Sequence, residues 1–440
     1  MLNKKLKNIP QINIICIIGR LYQLGYKDID HLLPFFYFLE KNKKLKVKTK
    51  ILIQGNNISF NYKKPIQTFL SNLKNIEIKF RYEGNFFYKI LSLFFSKKNS
   101  KAFSIFDRLV NNLILKFNLT KDKKNINWKT LFGESFINSK NLIFISLQHD
   151  NKQEKYFSSI KKYNKKAKWL VVPEGTLLCQ NEMDTIYDLD KKKLKSEYKW
   201  AKSVDYFFST CKTDLNRSIS NGLERRKGYV IGSPRYCQDW LELKSKFKLD
   251  GKDVSINKKY KVKILFLAPK GFINIFTEEL IRTIDFISSY NEIELIFLNN
   301  NYLYPKIPNS ITSRDNIRFY YVSKQYSTSK LIEWADIVFH AGTGVVYQSF
   351  MKEKITVFPK YLTCNTLYSD VYNAGYNLSN RDELRNLCNA AVKSLNSLKK
   401  EYKKKTNFSN QKFIKHFVYG NNKSVPKTIQ NSFLRVSQDL

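Results

Sequence analysis

The sequence lacks several features that would assign a function or a compartment directly. The six cysteines include no C-x-x-C pair, which argues against a zinc site or a disulfide framework and favours a reducing, cytosolic compartment. No apolar run approaches the roughly 18 residues needed to cross a bilayer. The basic and apolar first residues are interrupted by Gly19 and Arg20, so they are not typical of a secretion signal.

Acidic residues are also scarce, with 37 Asp and Glu against 77 Lys and Arg, which gives a formal net charge of +40. Lysine is accompanied throughout by Asn, Ile, Tyr and Phe, a mixture that an AT-rich genome would impose, so the charge can be a habit of composition. The alternative is contact with a polyanion such as nucleic acid, anionic lipid or nucleotide phosphate. No aromatic and basic repeat or known nucleic-acid module is present. We therefore expect no nucleic-acid partner and retain an anionic membrane surface as a candidate.

Apolar runs of strand length alternate with helix-length periodic segments through most of the chain, which is typical of parallel α/β layers. Strands are predicted at 12–18, 48–54, 141–147, 168–173, 205–210, 228–232, 262–269, 293–299, 317–323, 336–341 and 355–359. Helices are predicted at 31–42, 197–204, 277–290, 328–335 and 344–353. The predicted fold class is α/β, with two Rossmann-like parallel-sheet domains that face a cleft.

The length of 440 residues favours two domains. We predict an N-terminal α/β domain at 1–245, with a mostly helical insertion near 60–135, and a C-terminal α/β domain at 262–400. The charged stretch 242–261 would link them. The last residues, 401–440, are predicted to form a helical tail that packs back on the first domain.

Ligands of open parallel sheets bind beyond the carboxyl ends of the strands, so the loops at these ends are where polar residues matter. In the first half, Glu174 is a candidate general base beside Gly175 and Thr176, although a turn with a solvated Glu explains the same residues. Ser233 and Arg235 follow another strand. Arg235 is suited to clamp a phosphate or carboxylate, or else to pair with Asp239.

The second half offers Lys270 after its first strand and the corner His340–Gly344 after a later one. Lys270 can contact phosphate, but the G-x-x-x-x-G-K-[ST] spacing of a P-loop is absent. Gly342, Thr343 and Gly344 lead from His340 into a helix, and the N-terminus of a helix favours anions. His149, after another strand, is a further candidate, whereas His31 and His416 have no such context and are interpreted as structural.

The order of these loops resembles a known family. The Glu174–Thr176 loop, the segment Val204–Thr210, the "IGSPR" turn and the layout of Asp336–Pro359 are similar to the CDP-glycerol glycerophosphotransferases and related capsule glycosyltransferases of the GT-B fold. The similarity covers roughly residues 140–400. This sequence departs from the family by having Glu174 where a His is usual and Lys354-Ile355 where Lys-Pro is usual. It also has Gln348 or Ser349 where many relatives have a ribose-binding Glu.

The resemblance implies a transferase that moves a glycosyl or polyol-phosphate group from a nucleotide-activated donor to a cell-surface polysaccharide or lipid-linked acceptor. It implies that the diphosphate meets Gly342–Gly344, that Lys270 and His340 neutralise the leaving group, and that Glu174 or His149 removes the acceptor proton. It implies no metal and no cofactor, and a cytoplasmic enzyme at the inner face of the cell membrane in cell-envelope synthesis. A non-hydrolysing nucleotide-sugar 2-epimerase of the same fold and a basic nucleic-acid-binding protein remain alternatives, as does a non-catalytic scaffold.

Overall fold

The structure is a computed structural model. It describes residues 11–18, 25–42, 44–54, 69, 73–81, 127–147, 151–173, 175, 179, 200–250, 252–268, 275–299, 307–321 and 326–439.

The first half of the chain forms a seven-stranded parallel sheet in the order β3-β2-β1-β4-β5-β6-β7. Its strands are β1 (Gln11–Ile18), β2 (Lys46–Gln54), β3 (Ile76–Arg81), β4 (Leu142–Ser146), β5 (Lys168–Val171), β6 (Tyr206–Ser209) and β7 (Gly228–Val230). Its helices are α1 (Gly25–Glu40), α2 (Trp128–Phe132), α3 (Glu134–Ile137), α4 (Asn151–Tyr163), α5 (Trp200–Ser203), α6 (Lys212–Ser220) and α7 (Gln238–Lys246).

The second half forms a six-stranded parallel sheet in the order β10-β9-β8-β11-β12-β13. Its strands are β8 (Val262–Leu267), β9 (Ile293–Asn299), β10 (Ile317–Tyr321), β11 (Ile337–His340), β12 (Ile355–Pro359) and β13 (Tyr376–Leu378). Its helices are α8 (Thr277–Ser288), α9 (Asn309–Thr312), α10 (Thr328–Trp334), α11 (Val346–Met351), α12 (Tyr368–Val371), α13 (Arg381–Phe417) and α14 (Val425–Gln438).

Both sheets are covered on both faces, which explains why their strands are almost continuously apolar. In β1, Ile14 and Cys16 face the core that α1 shares with α14, whereas Ile15 and Ile17 face the core beneath α2 and α4. The same alternation divides the second sheet, where helices α8 and α13 cover one face and α10 covers the other. Each domain is therefore a three-layer α/β sandwich.

The C-terminal helices cross from the second domain to the first. Helix α13 begins on the second sheet, bends at Ser394, whose φ and ψ are −161° and 95°, and ends in a cluster between the domains. Helix α14 then packs in the first domain, where Phe433 contacts Phe35 edge-to-face with ring centroids 6.3 Å apart. The Gln430 amide donates to the backbone oxygen of Phe38 at 2.8 Å.

The predicted fold class of two parallel-sheet α/β domains is confirmed. Strand β3, at Ile76–Arg81, lies inside the segment 60–135 that was predicted to be mostly helical. It pairs with β2 because its apolar residues alternate with charged ones, the pattern of a strand. Most of 60–135 lies outside the described residues, and the domain boundaries stay predictions. Helix α7 reaches Lys246, so the connection to β8 begins later than the predicted 242.

Candidate functional site

The corner after β11 lies at the point where the second sheet reverses its strand order. Strand β11 pairs with β8 on one side and β12 on the other, and the chain proceeds outward in opposite directions from β8 and from β11. Crevices at such reversals are where open α/β sheets bind ligands. Gly342 turns the chain there with φ of +94°, a conformation that favours glycine. The corner His340–Gly344, predicted from its local pattern as a candidate anion site, therefore lies at the strand-order reversal.

His340, at the end of β11, is buried rather than open to the crevice. Its side chain is 2% exposed, and its ring stacks on Phe358 with centroids 5.6 Å apart. Within the described part of the chain its Nδ1 has no hydrogen-bond partner. Burial lowers the pKa of the imidazole to about 3, so the side chain is neutral at pH 7. A neutral imidazole cannot supply the positive charge that was predicted for His340 at the leaving group, although it can still form a hydrogen bond.

Gln348 and Ser349 face the interior of the second domain. The Gln348 amide donates to the hydroxyl of Ser329, and both side chains are buried. The Ser349 hydroxyl donates to the backbone oxygen of Val346 at 2.8 Å and lies 2.9 Å from Thr356 Oγ1. Both side chains thus form hydrogen bonds inside the domain, and their predicted contact with a ligand stays a prediction.

The loop after β7 presents Ser233 and Arg235 at the carboxyl edge of the first sheet. The buried Ser233 donates its N–H to the oxygen of Val418 at 2.6 Å, which ties the loop to the end of α13. Arg235 is partly buried, and its Nη1 lies 2.7 Å from Nε2 of His31. Its guanidinium also lies over the ring of Tyr236, 5.3 Å from the centroid. His31, interpreted as structural from the sequence, therefore helps to place a predicted ligand contact.

Tyr236 joins the two halves of the site. Its ring packs on Tyr347 of the second domain with centroids 5.8 Å apart. A Cβ built on Gly344 would lie 3.6 Å from the Tyr236 hydroxyl oxygen, so this hydroxyl stands beside the Gly342–Gly344 backbone. Sequence reasoning missed Tyr236, although its position directly after Arg235 in a loop at a strand end was an available signal.

Tyr347 anchors this contact between the domains. It is fully buried and stacks on Phe413 of α13 with centroids 5.3 Å apart and planes 8° from parallel. Burial, with smaller contributions from Cys211 and Tyr236, raises the pKa of its phenol well above the usual 10. Cys211 follows β6, so a second loop of the first sheet reaches the same cluster.

The segment after β5 also reaches the second domain. Cys179 forms an antiparallel bridge with Leu367, and the two pack with Phe358 in a small buried cluster. Phe358 is the ring on which His340 stacks. Cys179, four residues after the exposed Gly175, therefore lies in the neighbourhood of His340. Glu174, Thr176, His149 and Lys270 lie outside the described residues.

The contacts of Tyr236, Cys179 and Cys211 place the carboxyl edges of the two sheets opposite each other. The predicted residues that the structure brings to this crevice are Arg235, Gly342, Thr343 and Gly344, with Ser233 supporting the loop. Among the described residues, no group of three or more His, Cys, Asp and Glu side chains is arranged to hold a metal ion. The structure also describes no helix with the length and apolar character needed to span a membrane.

No protein-family model matches the sequence, and no curated protein matches it either. Solved structures do match over almost the whole chain. UDP-GlcNAc 2-epimerase from Neisseria meningitidis bound to UDP-GlcNAc is 12% identical, with 96% of this chain and 100% of that chain covered and a TM-score of 0.52.

Two further matches have comparable scores. HepE from Anabaena in complex with UDP and glucose is 9% identical, covering 98% and 100% of the two chains, with a TM-score of 0.52. The wall teichoic acid polymerase TagF soaked with CDPG is 12% identical, covering 100% and 92%, with a TM-score of 0.51. The fold is GT-B-like. At identities of 9 to 12%, the similarity to these proteins is one of architecture.

Proposed function

We propose that this GT-B-like protein is an enzyme that moves a glycosyl or polyol-phosphate group from a nucleotide-activated donor to a cell-surface polysaccharide or lipid-linked acceptor. The observation that carries the proposal is the position of the Tyr236 hydroxyl, from the first sheet's edge, beside the Gly344 backbone of the second. The Gly344 corner lies at a strand-order reversal, where nucleotides bind in open α/β sheets. Solved structures of the same architecture include an epimerase bound to UDP-GlcNAc and TagF soaked with CDPG.

The donor diphosphate is proposed to lie against Gly342–Gly344. Gly344 leaves its backbone open except for the Tyr236 hydroxyl, so phosphate oxygens can approach the main chain. Arg235, held by His31, supplies positive charge over the Tyr236 ring. Because His340 is neutral, the stabilisation of the leaving group falls to Arg235 and, in our proposal, to Lys270.

The acceptor side of the proposed reaction uses the segment after β5. Glu174 is proposed to remove the acceptor's hydroxyl proton, with His149 as the other candidate. The bridge between Cys179 and Leu367 supports this assignment, because it holds Cys179, five residues after Glu174, against the second domain. We further propose that the enzyme works in the cytoplasm at the inner face of the membrane, where a lipid-linked acceptor is presented.

A thermal-shift screen against UDP-, CDP-, GDP- and CMP-linked donors tests the proposal. A donor present at a hundred times its Kd should stabilise the protein by about 2.7 kcal/mol. Absence of stabilisation by every donor would overturn the proposal, and steep salt-dependent binding to random DNA in its place would favour a nucleic-acid function.

Two variants locate the binding site. Gly344→Ala places a methyl group where phosphate approaches, yet its nearest neighbour would be 3.6 Å away, so the unliganded protein should keep its melting temperature. Tyr236→Phe removes one hydroxyl and should weaken donor binding about five- to tenfold. Tyr290→Phe is the matched control, because that hydroxyl bonds Asn389 on the α8 side of the second sheet. Equal losses of donor affinity in these two variants and in the control would contradict a site at Gly344.

A 2-epimerase is the second candidate, favoured by the epimerase among the structural matches. It would use the same crevice but needs acid and base carboxylates and no acceptor. Incubation with UDP-GlcNAc alone separates the two, because an epimerase converts it to the C2 epimer without a second substrate. Conversion of UDP-GlcNAc without an acceptor would replace the transferase proposal, whereas UDP-GlcNAc that stays unchanged would support it over the epimerase.

A further inference from the structure

Helix α13 carries an aromatic side chain that points into solvent. Phe408 is 80% exposed, the highest value among the large apolar residues that the structure describes as exposed. The opposite side of the same helical segment is buried through Tyr402, Phe413 and Phe417, so the helix cannot rotate to bury Phe408. Single exposed apolar side chains are common on protein surfaces, so Phe408 becomes informative through the charged residues around it.

Four exposed lysines surround this ring. Lys404 and Lys405 lie four and three residues before Phe408, and Lys412 and Lys415 lie four and seven residues after it. At 100° per residue, these offsets place all four within about 60° of Phe408 around the helix. We call Lys404, Lys405, Phe408, Lys412 and Lys415 the Phe408 face.

The Phe408 face carries a surplus of positive charge. None of its four lysines has an ion-pair partner among the residues that the structure describes. Two of them lie over tyrosine rings, Lys405 at 5.4 Å from Tyr376 and Lys412 at 5.8 Å from Tyr372. Glu401 is the acidic residue on this side of the helix, which leaves a surplus of three positive charges.

Two lysines elsewhere on the same helix form ion pairs. Lys399 pairs with Asp336 at 2.8 Å, and Lys403 pairs with Glu353 at 3.4 Å. Both lie more than about 120° around the helix from Phe408. The helix thus has one flank on which lysines have carboxylate partners and one face on which they do not. General enrichment in lysine does not produce this separation.

We propose that the Phe408 face docks on a bilayer that contains anionic lipid. Lysines at this spacing would meet acidic headgroups, and the Phe408 ring would enter the boundary between headgroups and acyl chains, as in helices that lie in the membrane plane. A bilayer fits better than nucleic acid, because single-stranded nucleic acid is held by several aromatic rings in a groove, whereas one ring projects here from a convex helix. This inference goes beyond the proposed reaction and does not depend on it, since docking needs no nucleotide.

Co-sedimentation of the full chain with vesicles tests the proposal. The protein should pellet with vesicles of equal parts phosphatidylglycerol and phosphatidylcholine, and should stay in solution with phosphatidylcholine alone. Each lysine near an anionic surface contributes about fivefold in affinity, so Lys404→Gln with Lys412→Gln should weaken binding roughly thirtyfold. Phe408→Ser should weaken it roughly tenfold. High salt should weaken binding of the unaltered protein as well.

The matched control is Lys399→Gln with Lys403→Gln, which makes the same change in charge on the other flank of α13. A second control is Ile256→Ser, which removes an apolar side chain that is 65% exposed on another segment. Both controls should bind vesicles as the unaltered protein does. The proposal is overturned if anionic vesicles do not bind, if the two double variants lose affinity equally, or if single-stranded nucleic acid competes the protein off the vesicles. Donor stabilisation in the thermal-shift screen is a separate readout, so failure of docking and failure of the proposed reaction are distinguishable.

Discussion

The buried, neutral state of His340 predicts how the free energy of unfolding depends on pH. Its pKa falls from 6.5 to about 3 on folding because burial penalises the imidazolium. Above pH 6.5 both folded and unfolded chains hold it neutral, so it adds no pH dependence. Below pH 6.5 only the unfolded chain binds the proton, and stability falls by about 1.4 kcal/mol per pH unit until pH approaches 3. At pH 5 the loss is 1.5 units times 1.4, or about 2 kcal/mol.

The His340→Gln variant removes this contribution while keeping a side chain of similar size. We therefore expect the unaltered protein to lose about 2 kcal/mol more than the variant when urea unfolding at pH 7 is compared with pH 5. The other three histidines are present in both proteins and cancel in the comparison. NMR gives a direct check, since the C2–H resonance absent from the variant should not titrate between pH 5 and 8. Identical pH dependence in the two proteins would refute the buried, neutral state of His340.

Three further predictions concern packing. Gly232 has φ of +82°, and a Cβ there would lie 2.7 Å from Val425 Cγ2, so Gly232→Ala should lower the free energy of urea unfolding by about 3 kcal/mol. Gly222 has φ of +101° but no atom within 4 Å of such a Cβ, so Gly222→Ala should lower it by about 1 kcal/mol. Phe433 is fully buried, so Phe433→Ala should cost about 3–5 kcal/mol, and Phe408→Ala at most about 0.5 kcal/mol; similar values would contradict their different environments. Ser349→Ala should cost about 1–2 kcal/mol and leave donor affinity unchanged, and lost affinity at unchanged stability would instead indicate a contact with ribose.

Of the thirteen described strands, all but β3 and β13 could be located from the sequence, because parallel strands buried on both faces are short, nearly continuous apolar runs. Their order could not, since it depends on pairing between distant segments. The run that became β11 gives no sign that it pairs with β8, and this pairing puts His340 at the reversal point. Strand β3 was available from the sequence, because "IEIKFR" alternates apolar and charged residues within a segment otherwise rich in aromatic side chains.

At the candidate site, the main feature that the sequence could not predict was the direction of the side chains. Each residue turns a helix by about 100°, and the sequence of α11 does not show which of its side chains face the other domain. In the structure, Gln348 and Ser349 bond inside the domain. The prediction for Gly342 and Gly344 depends less on helix register, because a ligand would contact their backbone.

The return of α14 to the first domain has a consequence for synthesis on the ribosome. Val425, Ile429 and Phe433 belong to the core around β1, so that core stays open on one side until these residues have been made. The main core of the second sheet uses residues between Val262 and Tyr402 alone and can close earlier. The face of the first sheet that α14 covers is therefore completed last, although domains usually fold in order from the N-terminus. During translation of the second domain, the apolar surface that α14 later covers is exposed to chaperones and to neighbouring nascent chains.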